Sequence, residues 1–292
     1  MAIICATALT KSYNNVAVVN NLNLEIPEGE AFGFLGPNGA GKTTTIRLLL
    51  GLIKPTSGRS EIFDMECQSQ TREIHKRLAY VPGESNLWDS LTGHQTLEFL
   101  SSLHGSVDQV YQQELIEIFA LDPSKKVRAY SKGNRQKLLL ISGLSTRAQV
   151  LLLDEPTSGL DPLMQEAFRS VVLTAKKRGQ TIFLSSHTLS EVEVLCDRIG
   201  LLRSGELIET GTLEQMRHLS AVTYQITFTG EPINLTGIEN TKGVVVEGNR
   251  VTCEVMGDPT PLLKILSTAD IAKVTSHEAS LEEIFLSHYG NH

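Results

Sequence analysis

The most constraining stretch of this sequence is Gly36-Pro37-Asn38-Gly39-Ala40-Gly41-Lys42-Thr43, which satisfies the pattern G-x-x-x-x-G-K-S/T without interruption. An apolar run, Ala31-Phe32-Gly33-Phe34-Leu35, leads into it and reads as a buried strand. Ile46, Leu49 and Leu50 follow at the spacing of one helix face, with Thr44 in the first turn. Strand, glycine loop and helix in that order make a phosphate cradle. The glycines let several backbone N–H groups turn inward at a helix N-terminus that already favours anions. Lys42 adds a point charge for β- and γ-phosphates, and the Thr43 hydroxyl is suited to bind Mg²⁺.

At 292 residues the chain has room for one large domain and a smaller one. A formal net charge of −7 argues against a general nucleic-acid surface, which needs clustered Lys and Arg. The richest apolar run, Leu138 to Leu144, is far too short for a membrane span and contains Ser142 and Gly143. Met1-Ala2-Ile3-Ile4-Cys5 shows neither a basic region nor a cleavage site, so no secretion signal is expected. Cys5, Cys67, Cys196 and Cys253 form no C-x-x-C pair and no metal-ligand spacing. Reduced, mostly buried thiols in a cytosolic protein are expected.

Residues 1 to 35 alternate as strands do, and an antiparallel sheet beside the loop is expected, with Tyr13 in a polar loop, Lys11 to Asn15. From about 84 to 146 the apolar residues recur at helical spacing, which predicts a helical insertion ending in a helix capped by Ser131. Val150-Leu151-Leu152-Leu153 then runs into Asp154-Glu155, the place for acids at the C-terminal end of a buried parallel strand. Thr181 to Ser185 is a further buried strand with Ser186-His187 at its end, and a helix is expected from Thr212 to about Leu219. From about 221 the pattern restarts as a small α/β module. It has a hairpin around Gly248-Asn249 and an expected last helix from Leu281 to His288, but no chemical motif.

Four motifs in one order give the chain a family resemblance: the phosphate loop, Ser131-Lys132-Gly133-Asn134-Arg135-Gln136, Asp154-Glu155 with Ser158-Gly159-Leu160-Asp161, and His187. Residues from about 1 to 220 resemble the nucleotide-binding subunit of an ATP-binding cassette (ABC) transporter. The second motif is similar to the family's signature loop, L-S-G-G-Q, and His187 stands at its switch histidine. The resemblance implies an α/β fold: a P-loop NTPase (RecA-like) core with an antiparallel β subdomain and a helical subdomain at about 84–146. A C-terminal accessory α/β domain at 221–292 completes the expectation.

The resemblance also implies roles. ATP and Mg²⁺ are the expected ligands. Asp154 and Thr43 would hold Mg²⁺; Glu155 would activate water; His187 would contact the γ-phosphate, and Tyr13 would stack on adenine. The signature residues Ser131, Gly133 and Asn134 would serve the nucleotide of a second copy, in a head-to-tail homodimer closed by ATP, and Asp161, in the loop after the acids, would also contact nucleotide. A separate transmembrane permease is the expected partner, no nucleic acid is, and the place is the inner face of the cell membrane. Lys132 departs from a signature glycine, Asn134 from the signature glutamine, and Gly83 from the glutamine that usually senses the membrane subunit. Pro82-Gly83-Glu84 and the stretch Ala279 to Leu286 resemble prokaryotic exporters of drugs, antibiotics and peptides. A soluble ATPase of the same superfamily acting on a non-membrane partner is the alternative; a GTPase is disfavoured because N-K-x-D is missing.

Overall fold

A computed structural model describes residues 2–84, 86–105, 107–218 and 222–278. The chain divides into two compact units between Thr210 and Gly211, ahead of the boundary expected at 220.

The first unit opens with β1 (Ala2–Tyr13) and β2 (Val16–Pro27), an antiparallel pair. Their two-residue turn, Asn14-Asn15, has φ of 48° and 66°, the doubly positive geometry that suits hairpin twist and that asparagine tolerates. Lys11 to Tyr13, expected in a loop, belong to β1, because this tight turn lets Tyr13 pair with Val16. Next come β3 (Ala31–Leu35), α1 (Lys42–Leu49), β4 (Ser57–Ile62), β5 (Met65–Glu66), α2 (Thr71–His75) and β6 (Leu78–Val81). A four-stranded sheet of order β2-β1-β4-β5 lies in this part, as expected beside the phosphate loop.

The interval 84–146 holds α3 (Gly93–His104), α4 (Gln109–Ile118) and α5 (Lys132–Leu144), with a 3-10 turn at Val127–Ala129. Local chemistry starts each helix. Thr92 and Gln95 form a reciprocal capping box on α3, and the Asp108 carboxylate accepts the Tyr111 N–H on α4. On α5 the Ser131 hydroxyl accepts the Asn134 N–H at 3.2 Å.

The chain then runs through β7 (Val150–Asp154), α6 (Pro162–Lys177), β8 (Thr181–Ser186), α7 (Leu189–Leu195), β9 (Arg198–Arg203) and β10 (Glu206–Thr212). A second sheet has the order β10-β9-β3-β8-β7-β6, and every pair from β9 to β6 is parallel. β3, β7 and β8 are buried at every position, which is why apolar residues fill β3 and the centres of β7 and β8 without the alternation of a half-exposed strand. Register sets Leu35 beside Ser186 and Asp154 beside Ser185. The loop after β3, the acids ending β7 and the histidine after β8 therefore emerge at one sheet edge, where open α/β sheets bind ligands.

The second unit carries α8 (Leu213–His218), β11 (Val222–Phe228), β12 (Thr241–Glu247), β13 (Arg250–Val255), α9 (Thr260–Leu266) and β14 (Ile271–Glu278). Its antiparallel sheet, β12-β13-β11-β14, packs Ile226, Phe228, Val251 and Cys253 with Leu262 and Leu266 of α9. The helix expected at 281–288 and the exporter-like stretch at 279–286 lie outside the described residues. Among the described residues no helix is long and apolar enough to cross a membrane.

Candidate functional site

The phosphate loop is shaped by close approach. Gly41 has φ 109°, and a Cβ there would sit 2.5 Å from the Val18 carbonyl oxygen, so only glycine fits. Gly41 offers no side-chain cap to α1, and the first turn of α1 carries no acidic residue. Its first N–H groups therefore remain suited to an anion. Lys42, only 5% exposed, folds back over the loop: Nζ donates to the carbonyls of Gly36 (2.7 Å) and Pro37 (3.2 Å). Asn38, Gly39, Gly41, Lys42, Thr43 and Thr44 line a cleft of about 180 Å³ together with Val18 and Glu155. Ala40 is buried at 3%, and its carbonyl accepts the Gly205 N–H at 2.9 Å.

Glu155 joins the two ends of the site. Its Oε1 lies 3.1 Å from Lys42 Nζ and its Oε2 lies 3.2 Å from His187 Nδ1. Its own backbone is in the left-handed region, φ 44°, a conformation costing about 1–3 kcal/mol that persists where surrounding contacts enforce it. Ser185 enforces it from one side: the Glu155 N–H points at the Ser185 carbonyl (3.1 Å) and at Ser185 Oγ (3.2 Å). The same hydroxyl donates to Asp154 Oδ1 at 2.5 Å, and Asp154 is 3% exposed. Ser185 and Val18 were not singled out from the sequence. The one local signal at Ser185 is that a serine pair, Ser185-Ser186, ends an otherwise apolar strand and buried hydroxyls need partners; which acids it meets is set by the pairing of β7 with β8.

Glu191 lies behind His187. Ser186 Oγ donates to its Oε2 at 2.7 Å, while Oε1 is buried without a hydrogen-bond partner among the described residues. Burial pushes its carboxyl above the ordinary value and Glu155 adds to this; Ser186, Thr157 and His187 oppose it. The folded state thus holds the proton more tightly than the unfolded chain, so the stability Glu191 contributes is present at low pH and is lost as pH rises through its raised pKa. Glu191→Gln should therefore match the wild type in thermal midpoint near pH 4 and exceed it increasingly toward neutral pH. A midpoint difference that stays constant with pH would refute this.

The signature residues stand apart from the cleft. Ser131, Gly133 and Asn134 form the start of α5 and do not line it. Lys132, where the family has glycine, reaches across to Ser158 Oγ at 3.1 Å. Asp161 caps α6 by accepting the Met164 N–H at 3.0 Å. Tyr13 is half exposed at 49%, with the Lys11 ammonium 4.9 Å from its ring centre, and does not line the cleft either.

A family model described as ABC transporter matches residues 19–158. The bacitracin transport ATP-binding protein BcrA of Bacillus licheniformis is 35% identical, covering 99% of this chain and 97% of the relative. The chain belongs to the ABC transporter family. It is an ATP-binding, ATP-hydrolysing subunit of that family. Among solved structures, an ATP-binding subunit of an ABC transporter matches at a TM-score of 0.69 and 28% identity, over 74% of this chain and 92% of the other. A dimeric ATP-binding cassette bound to ADP and Pi shares the fold at a TM-score of 0.65 and 23% identity, over 72% and 98%. These matches agree with the expected cassette fold, a P-loop core with an antiparallel sheet beside it.

Proposed function

We propose that two copies of this chain hydrolyse ATP at shared sites, and that the cycle drives export of a drug-like, antibiotic or peptide cargo through a separate membrane permease. The observation that carries the reading is the Glu155 carboxylate held between Lys42 and His187 inside the phosphate-loop cleft. When ATP enters, Lys42 exchanges its loop and carboxylate contacts for β- and γ-phosphate oxygens. Glu155 is released to take a proton from water, and His187 holds that carboxylate and the γ-phosphate in register. Tyr13, exposed at the end of β1, offers its ring to adenine.

The donor set fits Mg²⁺: the Thr43 hydroxyl and the Asp154 carboxylate are hard oxygen ligands, and Ser185 orients Asp154. Bound Mg²⁺ supplies charge neutralisation at the phosphates. Among the described residues no group of three His, Cys, Asp or Glu side chains forms a metal cage, and with Thr43 and Asp154 as protein ligands, phosphate oxygens and water would supply the rest of the shell.

Ser131, Gly133 and Asn134 serve the nucleotide of the second copy, head to tail, and Asp161 is the nucleotide contact from the loop after the acids. Their place outside the chain's own cleft supports this. The permease docks at the inner face of the membrane. An apolar groove of about 320 Å³, lined by Leu50, Leu52, Leu78, Tyr80, Leu100 and Leu103, supports a protein partner there. The end-to-end likeness to a bacitracin transport protein supports the cargo class. The test is ATP turnover by the chain purified with its permease in lipid vesicles. A cyclic peptide antibiotic should raise turnover; unchanged turnover with peptide antibiotics and with hydrophobic drugs alike would end the export reading.

A further inference from the structure

Gly83, in the position of the family's coupling glutamine, has no side chain to give. Nor is there space for one: a Cβ at Gly83 would lie 2.8 Å from the Asp154 carbonyl oxygen and 3.5 Å from Glu155 Cβ. Pro82-Gly83 thus rests directly on the backbone of the two acids. Pro82 and Pro156 flank this contact, and neither carries an N–H to share in a local hydrogen bond.

Their carbonyls are met by a side chain from another element. Gln136, 2% exposed and in the second turn of α5, points its amide nitrogen at the Pro156 carbonyl (3.1 Å) and the Pro82 carbonyl (3.4 Å). Both protons of a primary amide are then used. Pro156 directly follows Glu155, whose strained backbone is held at its N–H by Ser185. Ser185 and Gln136 therefore grip the two sides of the Glu155 residue. Gln136 sits on the helix that Ser131 begins, so the grip also ties the start of α5 to the acids.

We propose that Gln136 is a positioning residue for Glu155. It holds the general base in place and joins the signature helix to it, in a chain whose residue 83 cannot. This rests on Glu155 being the base. Gln136 touches no reacting atom, so its effect on the chemical step passes through Glu155.

The test is a double-mutant cycle in the full-length chain, reading kcat and KM for ATP together with the thermal midpoint. Gln136→Leu should lower kcat about tenfold, the scale of one or two lost hydrogen bonds, with KM nearly unchanged. In a Glu155→Gln background the same change should cost almost nothing further, because the group it positions is already gone. Equal fractional losses in the two backgrounds, or a loss confined to KM, would overturn the proposal. Wild-type turnover in Glu155→Gln alone would overturn the base reading instead. Should Gln136→Leu not fold, Gln136→Glu keeps the shape: its protonated acid donates one hydrogen bond and its ionised form none. Its kcat relative to wild type should then fall as pH rises, and a pH profile parallel to wild type would overturn the proposal.

Discussion

A Glu155→Gln chain is expected to bind ATP, to turn it over about 10²- to 10⁴-fold more slowly, and to run as a dimer only when ATP is present. The amide keeps the length and hydrogen-bonding shape of a carboxylate that reaches Lys42 and His187 at 3.1 and 3.2 Å, so the cleft survives. What it loses is the base and a negative charge beside the γ-phosphate. In the proposed shared site, ATP that cannot be cleaved would then remain between Lys42 of one copy and Ser131 of the other. Size-exclusion chromatography with and without ATP reads this directly. Adding Ser131→Arg should dissolve the dimer by filling the signature pocket. That change also removes the hydroxyl capping α5, at a cost of about 0.5–2 kcal/mol, so a thermal midpoint must accompany it. A dimer that survives Ser131→Arg in folded protein would show that the signature loop does not touch the second nucleotide.

Lys42→Ala should lower turnover by at least about 10²- to 10³-fold, the loss expected when one fixed charge facing a transferring phosphoryl group is removed, and should weaken ATP binding as well. The fold should persist. The loop has supports that do not involve this side chain: Gly36 N–H to the Ser186 carbonyl (3.3 Å), Ala40 N–H to the Pro37 carbonyl (3.2 Å), and Gly205 N–H to the Ala40 carbonyl (2.9 Å). Glu155 would keep His187 but lose its cationic partner. ATP hydrolysis and nucleotide titration, with circular dichroism as the folding control, decide the matter. Wild-type turnover in a folded Lys42→Ala chain would remove the phosphate-loop reading altogether.

The elements that position the site were legible in the sequence because each is written within a few neighbouring residues. The buried runs at 31–35 and 150–154, the glycines of the phosphate loop, the Ser131 cap and the Gly248-Asn249 turn are local choices of polarity and backbone freedom. Tyr13 shows the limit of such reading. Its polar neighbours suggest a loop, yet pairing with Val16 across a two-asparagine turn makes it strand.

The partnerships inside the site came only from the tertiary structure. Strand order, with β8 between β3 and β7, brings Ser185 against Asp154 and Glu155 and sets His187 near the phosphate loop. No spacing along the chain encodes that order. Gln136 could be quoted as part of a motif, but its two proline carbonyls lie in distant segments that meet only when α5 packs beside the ends of β6 and β7. Local patterns specify elements because backbone preference and solvent contact act over a few residues. Contacts between distant polar groups depend on how the whole apolar core closes, and that is a property of the assembled sheet.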